Sequence, residues 1–327
     1  MAAADDGCAG GAHPEWRCPE HSTPLRDEGG WLTCSSGDRF PVRGDIPRFV
    51  SGSGYAAAFG LQWRRYRETQ LDSYTGTTIS RDRARRCLGE ALWSSLGRLR
   101  VLEVGCGAGR FTEVLLDRGA FVASVDLSDA VDANSENFPP SETHRVAQAD
   151  VMRLPFAPRE FDIVFCLGVV QHTPDPEAAI GTLFDHVRPG GTLVFDHYAT
   201  PLSWRLSTAP LARAVLRRLE PTKALRITER LVDLLLPVHR AAGRFGPIVT
   251  RLSPVYAYYH VLPQLPERLQ REWALLDTHD ALTDRYKHFR TPERLDAALR
   301  ALGADVDRCE RSGNGVEVRA RRPAPGI

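Results

Sequence analysis

Between residues 98 and 200 the apolar positions gather into strand-like runs, at 100–104, 121–125, 161–167 and 192–196. The segments between them have helix length and polar caps. Such alternation predicts a parallel sheet wrapped by helices. The rhythm breaks over 201–265, where "PLARAVLRRLE", "ALRITERLVDLLL" and "PIVTRLSPVYAYYHVL" read as amphipathic helices. Residues 51–97 are also mostly helical in pattern. Residues 17–50 form short β-like runs split by Gly and Pro, and residues 1–16, rich in Ala and Gly, are expected to be disordered. In 266–327 one more helix, "TPERLDAALRALG", has Pro in its first turn and precedes two strand-like runs around "ADVDRCE" and "GVEVRARR". The expected organisation is a small β module (17–50), a helical lead-in (51–97), an α/β core (98–200), a helical insert (201–265) and a C-terminal segment that completes the core sheet (266–327).

Composition narrows the picture. With 327 residues, 43% of them apolar, the chain can bury a sizeable core. Lys plus Arg total 42 against 41 Asp plus Glu, so there is no global drive toward nucleic acid. The insert differs: from Arg205 to Arg251, ten Lys and Arg stand against Glu220, Glu229 and Asp233. That excess suits a phosphate, a carboxylate or an acidic membrane surface, and equally a solvated helix face. No stretch has the roughly 18 uninterrupted apolar residues of a membrane span. The N-terminus lacks the basic and apolar regions of a signal peptide. The seven cysteines, with Cys87, Cys106, Cys166 and Cys309 in the expected core, read as reduced thiols. A cytoplasmic location is therefore expected.

The chemistry is concentrated in "VLEVGCGAGRFTE", residues 101–113. A strand feeding a helix through glycines cradles adenosine-containing cofactors. The dinucleotide fingerprint is G-x-G-x-x-G, whereas Gly105, Gly107 and Gly109 give G-x-G-x-G. Asp126 ends the second strand, where an acid can accept from ribose hydroxyls. Asp150 follows the third strand in "AQADVMRLPF", placed to accept from an adenine amino group, with apolar neighbours to cover the ring. "FDIVFCLGVVQHTPDP" and a Pro189-Gly190-Gly191 turn complete the series.

This ordered set resembles the class I S-adenosylmethionine-dependent methyltransferases. The resemblance is strong over 100–200 and looser in "YAAAFGLQWRRY" and "LLDTHDALTDRYKHFRTPERL", which look like the flanks of bacterial enzymes that methylate sugars and other small biosynthetic intermediates. It implies a Rossmann-like, doubly wound α/β fold with a seven-stranded sheet, an N-terminal β module and a helical lid insertion. The cofactor set it implies is Glu103, Gly105, Cys106, Gly107, Gly109, Asp126, Leu127, Asp150, Val151 and Leu167. S-adenosylmethionine has no pyrophosphate, so glycines that admit close backbone approach suffice. Phe59, Trp63 and Tyr66 share a helical face in the lead-in and are read as core or as a lid over the cofactor.

Substrate belongs at the strand ends. His172 after the fourth strand and His197 after the fifth are the candidate general bases. Tyr198, Asp277, His279 and Tyr286, with His288 nearby, are the candidate acceptor contacts. The "DTHD" acids also suggest magnesium, against plain helix capping and packing.

Cys18-Pro-Glu-His21 followed by Cys34 resembles a zinc ribbon, a module that precedes some methyltransferases, including certain ribosomal-RNA guanine enzymes. Gly37 stands where a second paired cysteine is expected, and three ligands do not close a tetrahedral site. The module therefore reads as degenerate and metal-free. If zinc binds, Cys18, His21 and Cys34 hold it, with Asp38, His13 or Cys8 offering a fourth ligand at non-standard spacing. The favoured partner is a small-molecule acceptor, methylated on O or N by in-line displacement with a histidine base. An RNA base methyltransferase is the alternative; balanced charge and "CLGVVQHT" after the fourth strand oppose it. A non-catalytic cofactor-binding subunit is the alternative of another class.

Overall fold

The computed structural model describes residues 13–199, 207–242, 245–313 and 315–325. Most of the expected disordered N-terminus, and Cys8, lie outside these residues. The module contains β1 (Leu25–Asp27), β2 (Trp31–Cys34), β3 (Arg39–Arg43) and β4 (Ile46–Pro47), paired in that order as an antiparallel sheet. The lead-in holds α1 (Ala57–Arg65), α2 (Asp72–Thr75) and α3 (Ile79–Ser95). The core follows as β5 (Arg100–Val104), α4 (Arg110–Asp117), β6 (Phe121–Asp126), α5 (Ala130–Asn137), β7 (His144–Gln148), β8 (Phe161–Cys166), α6 (Pro176–Asp185) and β9 (Val187–His197). The insert supplies α7 (Ala209–Leu216), α8 (Pro221–Ala241) and α9 (Gly246–Leu252). Then come α10 (Glu267–Thr283), α11 (Pro292–Ala301), β10 (Asp305–Ser312) and β11 (Gly315–Arg321).

The main sheet has seven strands in the order β10-β11-β9-β8-β5-β6-β7. β5 to β9 are parallel neighbours, and β11 runs antiparallel to both β9 and β10. This is the Rossmann-like, doubly wound arrangement the sequence pattern predicts. The period of two places alternate residues on opposite faces. Leu102, Val104, Val125 and Val164 pack with Ile180 and Leu183 of α6 and Leu299 of α11. Val101, Val122, Ile163 and Val194 pack with Leu88 of α3 and Leu115 of α4.

The module covers the β7 edge of this sheet. The Phe49 N–H donates to the Gln148 carbonyl at 2.8 Å, and Trp16 packs against Phe49 and Phe156. Ile46 clusters with Cys106, Val131 and Val146. An edge strand covered in this way is closed to further pairing.

Two expectations about the C-terminal half need correction. Residues 266–327 hold two helices rather than one. α10 carries the whole "DTHD" stretch, with Thr278 and His279 buried and Asp277 and Asp280 half-buried. The stretch read as "PIVTRLSPVYAYYHVL" is helical only through Leu252. Ser253 is already extended, as the residue before Pro254 tends to be, and Val255 to Ala257 are irregular. No helix among the described residues is long and apolar enough to cross a membrane.

Candidate active site

The sheet order reverses between β5 and β8. The chain leaves β5 toward β6 on one side and β8 toward β9 on the other, opening a crevice at the strand C-termini. A cavity of about 620 Å³ lies there, within the usual range for small-molecule sites. Gly105, Gly107 and Gly109 all take left-handed φ, +75°, +51° and +104°. A Cβ on Gly105 would stand 2.1 Å from Val169 Cγ2, and one on Gly109 would stand 2.6 Å from the Phe138 ring. Only glycine fits either position.

Asp126 binds the turn to the strand. Its Oδ2 accepts from the Gly107 N–H at 3.0 Å. Its Oδ1 accepts from the Ser128 N–H at 2.8 Å and the Ser128 hydroxyl at 2.7 Å. Burial raises its pKa, against which these bonds act. Glu103 stands behind the loop. It accepts from Thr112 at 2.6 Å and Ser124 at 2.9 Å, while its other oxygen is buried without a partner. Burial pushes its carboxyl up to about 7.

Of the residues singled out in the sequence, Gly105, Cys106, Gly107, Asp126, Leu127, Val151, Leu167, His172, Tyr198 and Asp277 line the cavity, as do Phe59 and Trp63. Glu103, Gly109, Asp150, His197, His279 and Tyr286 do not. Gly109 caps α4, and Asp150 accepts from the Met152 N–H at 3.0 Å. His197 is buried, with Nδ1 3.0 Å from the Tyr198 carbonyl, and desolvation lowers its pKa to about 4. His279 lies between α10 and α8, 3.2 Å from the Thr228 hydroxyl. Tyr66 instead donates to Glu229 at 3.0 Å. Burial raises the Cys106 thiol far above its ordinary value, so Cys106 is a small core residue.

His172 has the geometry of an oriented base. Its Nδ1 lies 3.2 Å from the Tyr286 carbonyl and 3.2 Å from Asp284 Oδ2. Both partners are acceptors, so in the neutral ring the proton sits on Nδ1 and the lone pair on Nε2. Nε2 is buried without a protein partner, and the ring is fixed edge-on between Phe59 and Tyr198. Asp284 is itself held by Arg213 at 2.5 Å and Lys287 at 2.9 Å. Burial opposes its charge, but these cations and His172 hold its pKa below the ordinary value.

Sequence reasoning missed several groups here. Arg83 and Arg110, both half-buried, line the cavity near the glycine loop. Arg83 pairs with Asp196, whose Oδ1 accepts from the Gly168 N–H at 2.6 Å. Arg110 donates to Gln70 and Ser80, each at 3.0 Å, and desolvation lowers its pKa to about 10. Tyr256, Tyr258, Lys287, Phe289 and Asp280 also line the cavity. Gln62 donates to Asp280 at 2.7 Å, and burial pushes Asp280 up to about 7. Asp277, Asp280 and Asp284 recur at helical spacing, a signal available in the sequence.

The residues present fit S-adenosylmethionine. The glycine turn admits close approach, Asp126 Oδ2 keeps an unused lone pair, and Arg83 and Arg110 offer positive charge for a carboxylate. In the β module, Cys18, His21 and Cys34 converge and Asp38 joins them. His13 packs edge-on against Phe121 instead.

Residues 102–195 match the sequence model of a family described as "Methyltransferase domain". The chain is similar to the ubiquinone biosynthesis O-methyltransferase of Pseudomonas fluorescens (strain Pf0-1), 34% identical over 105 residues, which are 31% of this chain and 45% of the relative. The corresponding protein of Pseudomonas putida (strain GB-1) is 33% identical over 106 residues, 32% and 46% of the two chains. The match thus spans less than half the length of these relatives. Among solved structures, magnesium protoporphyrin IX methyltransferase from Synechocystis PCC 6803 aligns over 82% of this chain and 96% of that one, at 16% identity and a TM-score of 0.45.

Proposed function

We propose that this chain, whose residues 102–195 match the methyltransferase-domain family, transfers a methyl group from S-adenosylmethionine to a small-molecule acceptor. The observation that carries this reading is one continuous cavity joining the Asp126 glycine loop to His172. The cofactor supplies an activated methyl on a sulfonium, whose departure as a neutral sulfide needs no acid. The protein's tasks are alignment and, for a hydroxyl or ammonium acceptor, proton removal.

Asp126 and the glycine turn hold the adenosine end, and Arg83 and Arg110 hold the amino-acid carboxylate. Trp63 closes over the turn, 3.4 Å from where a Gly107 Cβ would stand, and excludes water. Tyr198, Tyr256 and Phe289 form aromatic walls for a cyclic acceptor. His172 Nε2 takes the acceptor proton while Asp284 stabilises the resulting imidazolium. Asp280, with its pKa near 7, is the second candidate base.

The names of the relatives favour an oxygen acceptor of the biosynthetic-intermediate type. A cavity of this size, in a chain of balanced charge, suits such a molecule better than a base held in RNA. The test is a panel of phenols, sugars, amines and an RNA transcript, with formation of the demethylated cofactor as readout. Turnover on a small hydroxylated acceptor, lowered in a folded His172→Gln variant, supports the reading. Turnover on RNA alone would replace it. Tight cofactor binding without turnover on any acceptor would favour a partner subunit.

A further inference from the structure

The small β module holds a cluster unrelated to the cavity. Cys18 Sγ lies 3.5 Å from His21 Nδ1 and 3.5 Å from Asp38 Oδ2. Cys34 Sγ lies 3.5 Å from the same Asp38 oxygen and 3.9 Å from His21 Nδ1. His21 Nδ1 and Asp38 Oδ2 are 2.8 Å apart, and all four ligand atoms fall within 4.8 Å of one another. We propose that Cys18, His21, Cys34 and Asp38 form a four-coordinate zinc site.

The distances are those of a tetrahedron. Zinc bonds of about 2.3 Å to sulfur and about 2.0–2.2 Å to nitrogen and oxygen give sulfur–nitrogen and sulfur–oxygen edges of about 3.5–3.6 Å. Three of the four such edges agree closely, and the fourth is about 0.3 Å long. The His21–Asp38 edge is about half an ångström short of the tetrahedral value near 3.3 Å. Rotation of the carboxylate, a soft torsion, supplies that change.

The backbone delivers these atoms through two turns. In the first, the Cys18 N–H donates to the Thr23 carbonyl at 2.9 Å and the Ser22 N–H donates to the Cys18 carbonyl at 2.8 Å. In the second, the Cys34 N–H donates to the Asp38 carbonyl at 3.0 Å and the Gly37 N–H to the Cys34 carbonyl at 3.1 Å. Gly37 takes φ +96°, so the chain turns through it and presents the next residue. This is why the position where a cysteine is expected holds glycine, and the fourth ligand comes one residue later.

The donor set selects the ion. Two thiolates and an imidazole suit zinc and disfavour the hard cations magnesium and calcium. Four protein ligands leave no open position, which marks a structural rather than catalytic metal. The need for one is plain. Cys18, Leu32, Cys34, Ile46, Pro47 and Phe49 are the module's buried apolar residues, too few to hold so short a segment on their own. The ion would tie the turn that follows Arg17 to the β2–β3 turn. It would thereby steady the face that places Ile46 on Cys106 of the glycine loop.

The experiment uses the full chain purified in zinc-replete medium and dialysed against zinc-free buffer. Elemental analysis should give about one zinc per chain. Cobalt(II) added to the metal-stripped chain should produce the intense visible bands and thiolate charge-transfer absorption of a tetrahedral site. Cys34→Ser should lose the ion. Loss of an outer-shell partner already costs about 10–100-fold in affinity, so Asp38→Ala should cost at least that much. Asp38→Cys should bind zinc more tightly than wild type, a gain that misfolding cannot mimic. Substoichiometric zinc, an octahedral cobalt spectrum, a Cys18–Cys34 disulfide in the native chain, or wild-type affinity in both Asp38 variants would overturn the proposal.

Discussion

Replacing Asp126 with alanine isolates what the second-strand acid does. A carboxylate offers roughly four lone-pair sites. Three are taken by this chain, two on Oδ1 by Ser128 and one on Oδ2 by the Gly107 N–H. One site, on Oδ2, is left for a ribose hydroxyl. A single hydrogen bond to a charged group is worth about 1.5–3 kcal/mol, so the dissociation constant for S-adenosylmethionine should rise by about 10- to 150-fold. Ser128→Ala frees a second site on Oδ1 and should leave affinity unchanged or improve it. The Gly107 and Ser128 N–H groups also lose their acceptor in Asp126→Ala, which costs stability. Calorimetric titration should therefore be run well below the variant's melting temperature. A folded Asp126→Ala protein with wild-type affinity would refute the assignment. A tenfold loss in Ser128→Ala would show that its hydroxyl, not the carboxylate, carries the ribose contact.

Other outcomes follow from the same geometry. His172→Gln should lower turnover by about 10²–10⁴-fold with cofactor affinity unchanged, whereas His197→Gln, outside the cavity, should retain turnover in a folded protein. The reverse result would move the base to the fifth parallel strand, and a loss confined to Asp280→Asn would move it to α10. Gly105→Ala forces a left-handed residue against Val169 and should destabilise the protein by about 2–5 kcal/mol; an unchanged urea midpoint would contradict the close approach. Desolvation lowers the His279 pKa from 6.5 to about 4. The stability from keeping it neutral is complete above pH 6.5 and is lost as pH falls toward 4, up to about 3 kcal/mol. His279→Phe should flatten that fall in urea titrations from pH 7 to 4; parallel curves would contradict it.

The core was legible because its signals are local. Strand, glycine turn and acid follow one another in "VLEVGCGAGRF" and "FVASVD", and each reports its own neighbourhood. α10 was not legible as a helix because it is wrapped on several sides. Leu269, Trp273, Leu275, Leu276, His279 and Leu282 are all buried, which blurs the 3.6-residue stripe. The choice between His172 and His197 depends on which face of β9 meets the cavity, and alternation alone gives two faces without saying which is which. Asp284 acts on His172 from 112 residues away in sequence, and Arg83 reaches Asp196 from 113. Such pairings exist only once the sheet has closed. Asp38 was weighed as one of three fourth ligands, and the left-handed turn at Gly37 is what singles it out.

The central claim is that the cavity at the β5–β8 switch point holds S-adenosylmethionine. Calorimetric titration of the wild-type chain with S-adenosylmethionine tests it most directly. The account predicts one site per chain, competed by the demethylated product and indifferent to NADH. Absence of saturable binding, or binding of NADH in its place, would contradict it.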